Sequence, residues 1–306
     1  MVSDSFEQKT RTIFDELHRA QGDDPYIFNR LVSLLSTEYL KVEDDWFIGK
    51  TCLDAGCGSN ANATYSMLSM GAEKVYSFDL DSGTGTTILD TVPARLQEFE
   101  GRYELSLGNV LHLHYPDNSF DFVHCSGVLH HSKDVYRGLG ELARVTKSGG
   151  TLYFMLNGKG GLVREFLNFL RQKYDDDPEF RSLIDELHED QFAEAHQWII
   201  SEMAEHGDDF GQQIPVGLLE QLFDRDLVLS IQDRIKSPVY HEHTEEELVD
   251  WLNNNGFTDI ERLSRYPRYK NVRRFLSPLY FQYSHPLARL LYGSGAVQLK
   301  AIKLSG

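Results

Sequence analysis

Leu53-Asp54-Ala55-Gly56-Cys57-Gly58-Ser59-Asn60 stands where a short apolar run, Thr51 to Asp54, gives way to a helix-like stretch at 61–70. Two glycines two residues apart in such a turn let the backbone approach a ligand closely. The carboxylate two residues before the first glycine can accept hydrogen bonds from a cationic ligand. The same rhythm of strand, turn and helix continues outward: Val75 to Phe78 then 85–99, Tyr103 to Leu107, Phe120 to Cys125 then 134–147, and Thr151 to Leu156. Alternation of this kind demands parallel strands joined by crossover helices, so the expected fold is α/β with a doubly wound sheet. Upstream, Ile27, Leu31, Leu34 and Leu35 mark an amphipathic helix beginning near Pro25, a residue suited to a first helical turn.

Beyond Asn157 the rhythm breaks. Phe180, Ile184 and Leu187, then Phe192, Ile199 and Met203, keep helical spacing with no strand between them, which predicts a helical insertion. The α/β pattern resumes at Thr244-Glu245-Glu246-Glu247, a capping box, with Leu248, Trp251 and Leu252 as the buried stripe and Asn255-Gly256 as the stop. Phe257 to Leu263 reads as a strand whose partner is the closing segment Ala296 to Lys303. With no internal repeat or low-complexity linker, one core carrying insertions is expected.

The chain has 306 residues, 30 basic against 47 acidic, for a net charge of −17. That field repels polyanions, so neither nucleic acid nor an anionic membrane is an expected partner. The charge is uneven: nine basic residues and no acidic one follow Glu261, whereas 175–226 holds sixteen acids against Arg181 and Arg225. Pairing of the basic tail with that acidic segment is expected. The start, Met1-Val-Ser-Asp-Ser-Phe-Glu, lacks the order of a secretory signal, and a cytoplasmic protein is expected. Cys52, Cys57 and Cys125 follow no Cys-x-x-Cys spacing and read as buried free thiols.

Asp79, ending the second strand, lies at the right distance from the glycine turn to grip ribose hydroxyls. With it, four stretches resemble the class I S-adenosylmethionine-dependent methyltransferases, above all the branch of ubiquinone and menaquinone C-methyltransferases: LDAGCGSN at 53–60, VYSFDLD at 75–81, GNVLHLHYPDNSFDFVHCSGVLHH at 108–131 and ELARVTKSGGTLYF at 141–154. The resemblance covers 49–157 and 244–263. It implies a Rossmann-like seven-stranded sheet with the last strand antiparallel, S-adenosylmethionine as cofactor, and S-adenosylhomocysteine as product. It further implies that Asp54 and the turn Gly56 to Gly58 hold the methionine end, with backbone near Ala55 and Cys125. Asp79 takes the ribose, Leu80 packs on adenine, Asn109 and Val110 read the adenine edge, and Ser126 lines the methionine pocket. Asn60 replaces the family's third glycine and Asn109 its adenine-reading aspartate. Asparagine tolerates left-handed backbone, and its amide carbonyl still accepts from an exocyclic amine.

So read, the chain divides into 1–48, N-terminal helices covering the cofactor site; 49–157, the cofactor-binding core; 158–240, a helical insertion or lid; and 241–306, which completes the sheet and carries a basic aromatic insertion at 265–295. Gly56-x-Gly58-x-x-Ala61 followed by Asp79 also satisfies a dinucleotide fingerprint, so an NAD-dependent oxidoreductase is the rival, and Asp54, which would repel a diphosphate, argues against it. A catalytically silent cofactor-binding scaffold is a third reading.

The expected acceptor is a small molecule, methylated on S, O, N or C, and a homodimer is left open. As a whole-chain likeness, with no motif behind it, size, acidity and the large insertion resemble bacterial methionine S-methyltransferases. That puts methionine sulfur first among named acceptors, ahead of a quinone-type carbon acid or a natural-product hydroxyl. Tyr240 and His241 are the candidate catalytic residues. His131, Asn157 and Arg268 are the candidates for holding the acceptor, with His130 beside them. Tyr26, with Phe28 and Arg30, is placed over the cofactor as an aromatic face for a sulfonium, although packing accounts for Phe28 equally well. The pairs His112/His114 and His241/His243 have metal-like spacing but no further ligands, and no metal is expected.

Overall fold

A computed structural model describes residues 25–80, 87–187, 189–206, 234–237, 240–264, 279 and 282–305. The chain forms two compact units, Met1–Lys159 with Pro238–Arg265 and Ser294–Gly306, and Gly160–Ser237 with Tyr266–Gly293. In chain order the helices are α1 (Pro25–Val32), α2 (Thr37–Leu40), α3 (Asn62–Ser69), α4 (Ile88–Thr91), α5 (Val135–Val145), α6 (Leu162–Asp176), α7 (Pro178–Asp185), α8 (Glu189–His206), α9 (Glu245–Asn254) and α10 (Pro286–Tyr292). The strands are β1 (Thr51–Ala55), β2 (Lys74–Asp79), β3 (Tyr103–Leu107), β4 (Phe120–Ser126), β5 (Thr146–Asn157), β6 (Phe257–Arg262) and β7 (Ala296–Lys303).

The first unit holds a seven-stranded sheet in the order β3-β2-β1-β4-β5-β7-β6. Neighbouring strands from β3 to β5 are parallel, and β7 runs antiparallel to both β5 and β6. This is the doubly wound sheet with a reversed last strand that the motifs imply. The strand order turns back between β1 and β4, and crevices beside such a switch point are where open α/β sheets bind ligands.

Alternation along each strand feeds two cores. Leu53, Val123, Leu152 and Leu299 face Leu139 and Leu142 of α5 and Leu248 and Leu252 of α9. Cys52, Val75, Phe122 and Tyr153 face Leu40 of α2 and Met67 and Leu68 of α3. Each fully buried leucine contributes about 1.5–3 kcal/mol. Phe120 and Phe122 lie in different clusters despite their even spacing, because the β4–β5 register shifts between them.

Two expected elements differ. The helix predicted over 85–99 is the short α4, capped by Thr87 and Asp90, and then a 3-10 turn at Gln97–Phe99. Pro93 explains the break, since its ring clashes with the preceding turn. The fifth strand starts at Thr146, five residues earlier than predicted, directly from the end of α5.

In the second unit Asp177 caps α7, accepting from Glu179 N at 3.0 Å and Phe180 N at 3.1 Å, with Pro178 in the first turn. Arg171 of α6 donates to Ser237 O at 2.8 Å. A Cβ at Gly161 would lie 2.3 Å from Gly293 N, so only glycine lets the start of α6 meet the end of α10. Among the described residues no helix is long and apolar enough to cross a membrane.

Candidate functional site at the strand ends

Gly56 and Gly58 take positive φ, 78° and 63°. A Cβ on Gly56 would sit 2.3 Å from Val128 Cγ2, so the loop passes β4's exit only because that side chain is missing. The loop is stitched to the end of β2. Gly56 N and Cys57 N both donate to Phe78 O, at 2.9 and 3.0 Å, and Gly58 N donates to Asp79 Oδ2 at 2.6 Å. Leu80 N donates to Asp79 Oδ1 at 2.7 Å. Two amides fix the Asp79 carboxylate at the end of β2, beside the loop. The left-handed residue expected at Asn60 is instead Ala61, φ 43°, at the N-cap of α3. Ser59 Oγ and Asn60 Oδ1 are buried with no hydrogen-bond partner, which is the state of polar atoms that a ligand completes.

Asp54 is buried among the strands. It is 1% exposed, its Oδ2 accepts from Thr64 Oγ1 at 2.7 Å, and its Oδ1 lies 2.8 Å from His124 Nδ1. Both oxygens are engaged among β1, α3 and β4. Asn109 Oδ1 likewise accepts locally, from Leu111 N at 2.9 Å, and Val110 is buried. Ser126 is the last residue of β4, opposite Met155, rather than beyond the strand. Arg144 braces the segment after β3, donating to Leu113 O at 2.9 Å, Tyr115 O at 2.8 Å and Asp117 Oδ1 at 2.8 Å. Glu141, whose carboxyl Arg144 holds below the usual range, accepts from Leu113 N at 2.7 Å. Cys57 and Cys125 are free thiols; burial first, then the nearby Asp79 and Asp54 charges, pushes both upward, so neither is a nucleophile at neutral pH.

Tyr240, His241 and His131 come together, with Asn157 tied to the same strap. The 3-10 turn Leu129–His131 buries both imidazoles, their ring centroids 4.1 Å apart, and the Tyr240 ring lies 5.7 Å from each. His241 N donates to His130 O at 2.9 Å and His243 N to Asn157 O at 3.0 Å, so 240–243 runs as a strap past the end of β5. His243 Nδ1 lies 3.4 Å from Tyr136 OH and 3.7 Å from Glu247 Oε2. Arg268 lies outside the described residues, as do the side chains of Tyr26 and Arg30. Phe28 packs edge-on against Tyr65, centroids 5.4 Å apart, in keeping with packing.

The expected pairing of the basic tail with 175–226 is not what its described members do. Arg262 pairs with Glu245, Lys300 with Glu261 at 3.1 Å, and Lys303 caps carbonyls of Ala143 and Thr146 at 2.8 and 2.7 Å. Asp177 and Asp185 of the acidic segment pair with Lys173 and Lys236. His112 stands against Arg137 Nη2, 2.8 Å from Nε2, a cation where a metal would need a ligand. Among the described residues no three His, Cys, Asp or Glu side chains gather as a metal site.

The sequence reading missed His124 as a partner of Asp54. The available signal was a polar residue inside the apolar run FDFVHC, on the strand face that alternation gives Phe122.

Residues 53–154 match a family model described as a methyltransferase domain. Among curated proteins, the chain is similar to a demethylmenaquinone methyltransferase of Geobacillus kaustophilus, 36% identical over 103 residues, 33% of this chain and 43% of that one. It is also similar to an uncharacterised methyltransferase of Schizosaccharomyces pombe, 32% identical over 151 residues, 44% of this chain and 50% of that one. The chain thus spans about half the length, or less, of these relatives. Among solved structures, the 1,6-didemethyltoxoflavin-N1-methyltransferase of Burkholderia thailandensis, crystallised with 1,6-didemethyltoxoflavin and S-adenosylhomocysteine, has the same fold. The TM-score is 0.50 at 15% identity, over 99% of this chain and 90% of that one. On its motifs and these likenesses together, the stretch 53–154 is similar to methyltransferase domains, and the sheet has the fold of a solved methyltransferase.

Proposed function

We propose that the protein binds S-adenosylmethionine and transfers its methyl group to a small-molecule acceptor. The observation that carries this reading is the stitching of the glycine loop. The amides of Gly56, Cys57 and Gly58, which a dinucleotide fold would aim at a diphosphate, already donate to Phe78 O and the Asp79 carboxylate. The Asp79 carboxylate suits ribose hydroxyls, as it would in either fold; the engaged amides are what disfavour a diphosphate. The unpartnered Ser59 Oγ and Asn60 Oδ1 fit a polar ligand beside the same loop.

In this reading the loop 56–58 and Ser126 hold the methionine end, Asp79 the ribose, and Leu80, Asn109 and Val110 the adenine. When bound, the cofactor supplies a methyl group on a sulfonium, open to in-line displacement by an acceptor lone pair. The chain's own work is alignment and exclusion of water. Tyr240 and His241 are the proposed catalytic groups, with His131 and Asn157 orienting the acceptor. A hydroxyl, amine or carbon acid would give up its proton to an imidazole nitrogen of this cluster, whereas the sulfur of methionine carries none and needs positioning only. Methionine leads the acceptors to try on whole-chain likeness; the clustered histidines favour a proton-bearing acceptor.

Calorimetric titration with S-adenosylhomocysteine and with NADH separates the cofactor classes, the first being expected to bind. Transfer of labelled methyl to a panel holding methionine, a reduced quinone, a phenol and an aromatic amine should label one class. Binding of NADH alone would end the proposal, and tight cofactor binding without turnover on any acceptor would favour a scaffold.

A further inference from the structure

A polar row crosses the sheet inside one core. Ser77, Asp54, His124 and Tyr153 stand in register on β2, β1, β4 and β5, all buried, on the face that carries Val75, Cys52 and Phe122. Thr64, in the first turn of α3, places its Oγ1 2.7 Å from Asp54 Oδ2 and 2.7 Å from Ser77 Oγ. An ionised carboxylate only accepts, so Thr64 donates to Asp54 and Ser77 donates to Thr64. By the same logic His124 carries a proton on Nδ1, which it donates to Asp54 Oδ1 across 2.8 Å. The His124 ring is itself held, stacked on Tyr153 at 5.2 Å and 13°. Tyr153 OH in turn lies 3.0 Å from Tyr39 OH.

The Asp54–Thr64 bond closes the base of the loop that runs from β1 into α3, and His124 occupies the other carboxylate oxygen. A buried carboxylate satisfied on both sides is directed into the sheet and not toward a ligand at the strand ends. We propose that His124 is a positioning residue for the glycine loop: it holds the Asp54 carboxylate inside the sheet, so that Asp54 serves cofactor binding by fixing the loop rather than by pairing with the cofactor's ammonium. This rests on the methyltransferase reading given above.

The test compares S-adenosylhomocysteine with 5′-methylthioadenosine, which keeps the nucleoside thioether but lacks the amino acid. Affinities for both are measured calorimetrically on the wild-type chain, Asp54→Asn, His124→Leu and His124→Asn. Asparagine at 124 places an amide donor near the position of Nδ1, whereas leucine removes it. Because the loop 56–58 holds the methionine end in this reading, loosening it weakens S-adenosylhomocysteine more than 5′-methylthioadenosine. The expectation is that His124→Leu weakens S-adenosylhomocysteine about tenfold and that His124→Asn recovers most of the loss. Asp54→Asn should shift the ratio of the two affinities no more than His124→Leu does, and ¹⁵N spectra of the wild-type chain should show His124 protonated at Nδ1. A shift of that ratio several-fold greater in Asp54→Asn than in His124→Leu would overturn the proposal, as would wild-type affinities in His124→Leu. Should leucine at 124 prevent folding, His124→Phe, which also lacks the donor, takes its place in the comparison. A wild-type chain that binds neither ligand refutes the methyltransferase reading itself, an outcome distinct from these.

Discussion

Gly56 and Asp79 show how single residues set the loop. A methyl group at 56 meets Val128 at 2.3 Å and φ is +78°, so Gly56→Ala combines overpacking with left-handed strain. A loss of at least about 2 kcal/mol is expected, read as a fall in the denaturant midpoint at unchanged slope. An unaltered midpoint would mean that Val128 yields at no cost. Asp79→Ala removes the acceptor of Gly58 N and Leu80 N together with the proposed ribose ligand. Binding of S-adenosylhomocysteine should weaken by about 1–3 kcal/mol in calorimetry, and unchanged affinity would take Asp79 out of the site. Both residues were legible from type and spacing. The partners of Asp54 were not, because Thr64 and His124 reach it from ten and seventy residues away.

At the scale of elements, local chemistry tells most plainly in α9. Thr244 Oγ1 accepts from Glu247 N at 3.2 Å, and Glu247 Oε2 accepts from Thr244 N at 2.9 Å, the reciprocal box read from the sequence. Thr244→Ala should cost about 1 kcal/mol, while Thr244→Ser should recover most of it; thermal melts of the two variants check this. The helix also follows the strap 240–243, so its start fixes where Tyr240 and His241 emerge. Elements whose signals conflicted were read less well. Apolar spacing suggested one helix over 85–99, and Pro93 divides it. A helix was expected over 134–147 and a strand only from Thr151, yet pairing of Thr146 with Phe120 draws 146–150 into β5.

For the whole molecule, acid stability offers a measurable consequence. Burial foremost holds the His243 imidazole below its ordinary value of 6.5, against the opposing pull of Glu247. As pH falls below 6.5 the unfolded chain takes up a proton at this residue before the folded chain does, so stability drops until the folded value is passed. Carboxylates held low by basic partners, Glu141 by Arg144 among them, act at lower pH, where their protonation removes a stabilising interaction. His243→Gln should therefore show a smaller fall in melting temperature between about pH 7 and about pH 5.5 than the wild type; parallel curves would remove His243 from the acid response. The sequence by itself determined the alternation of strands and helices, the glycine turn with Asp79 after it, and the capped helix α9, because each rests on periodicity or on hydrogen bonds within a few residues. The tertiary structure alone decided that Asp54 belongs to a row of buried polar groups, that His130, His131 and Tyr240 meet, and that Arg262, Lys300 and Lys303 of the last strands bind Glu245 of α9, Glu261 of β6 and carbonyls at the end of α5. These depend on strand register and crossover, which set residues far apart in the chain side by side and leave no trace in local spacing.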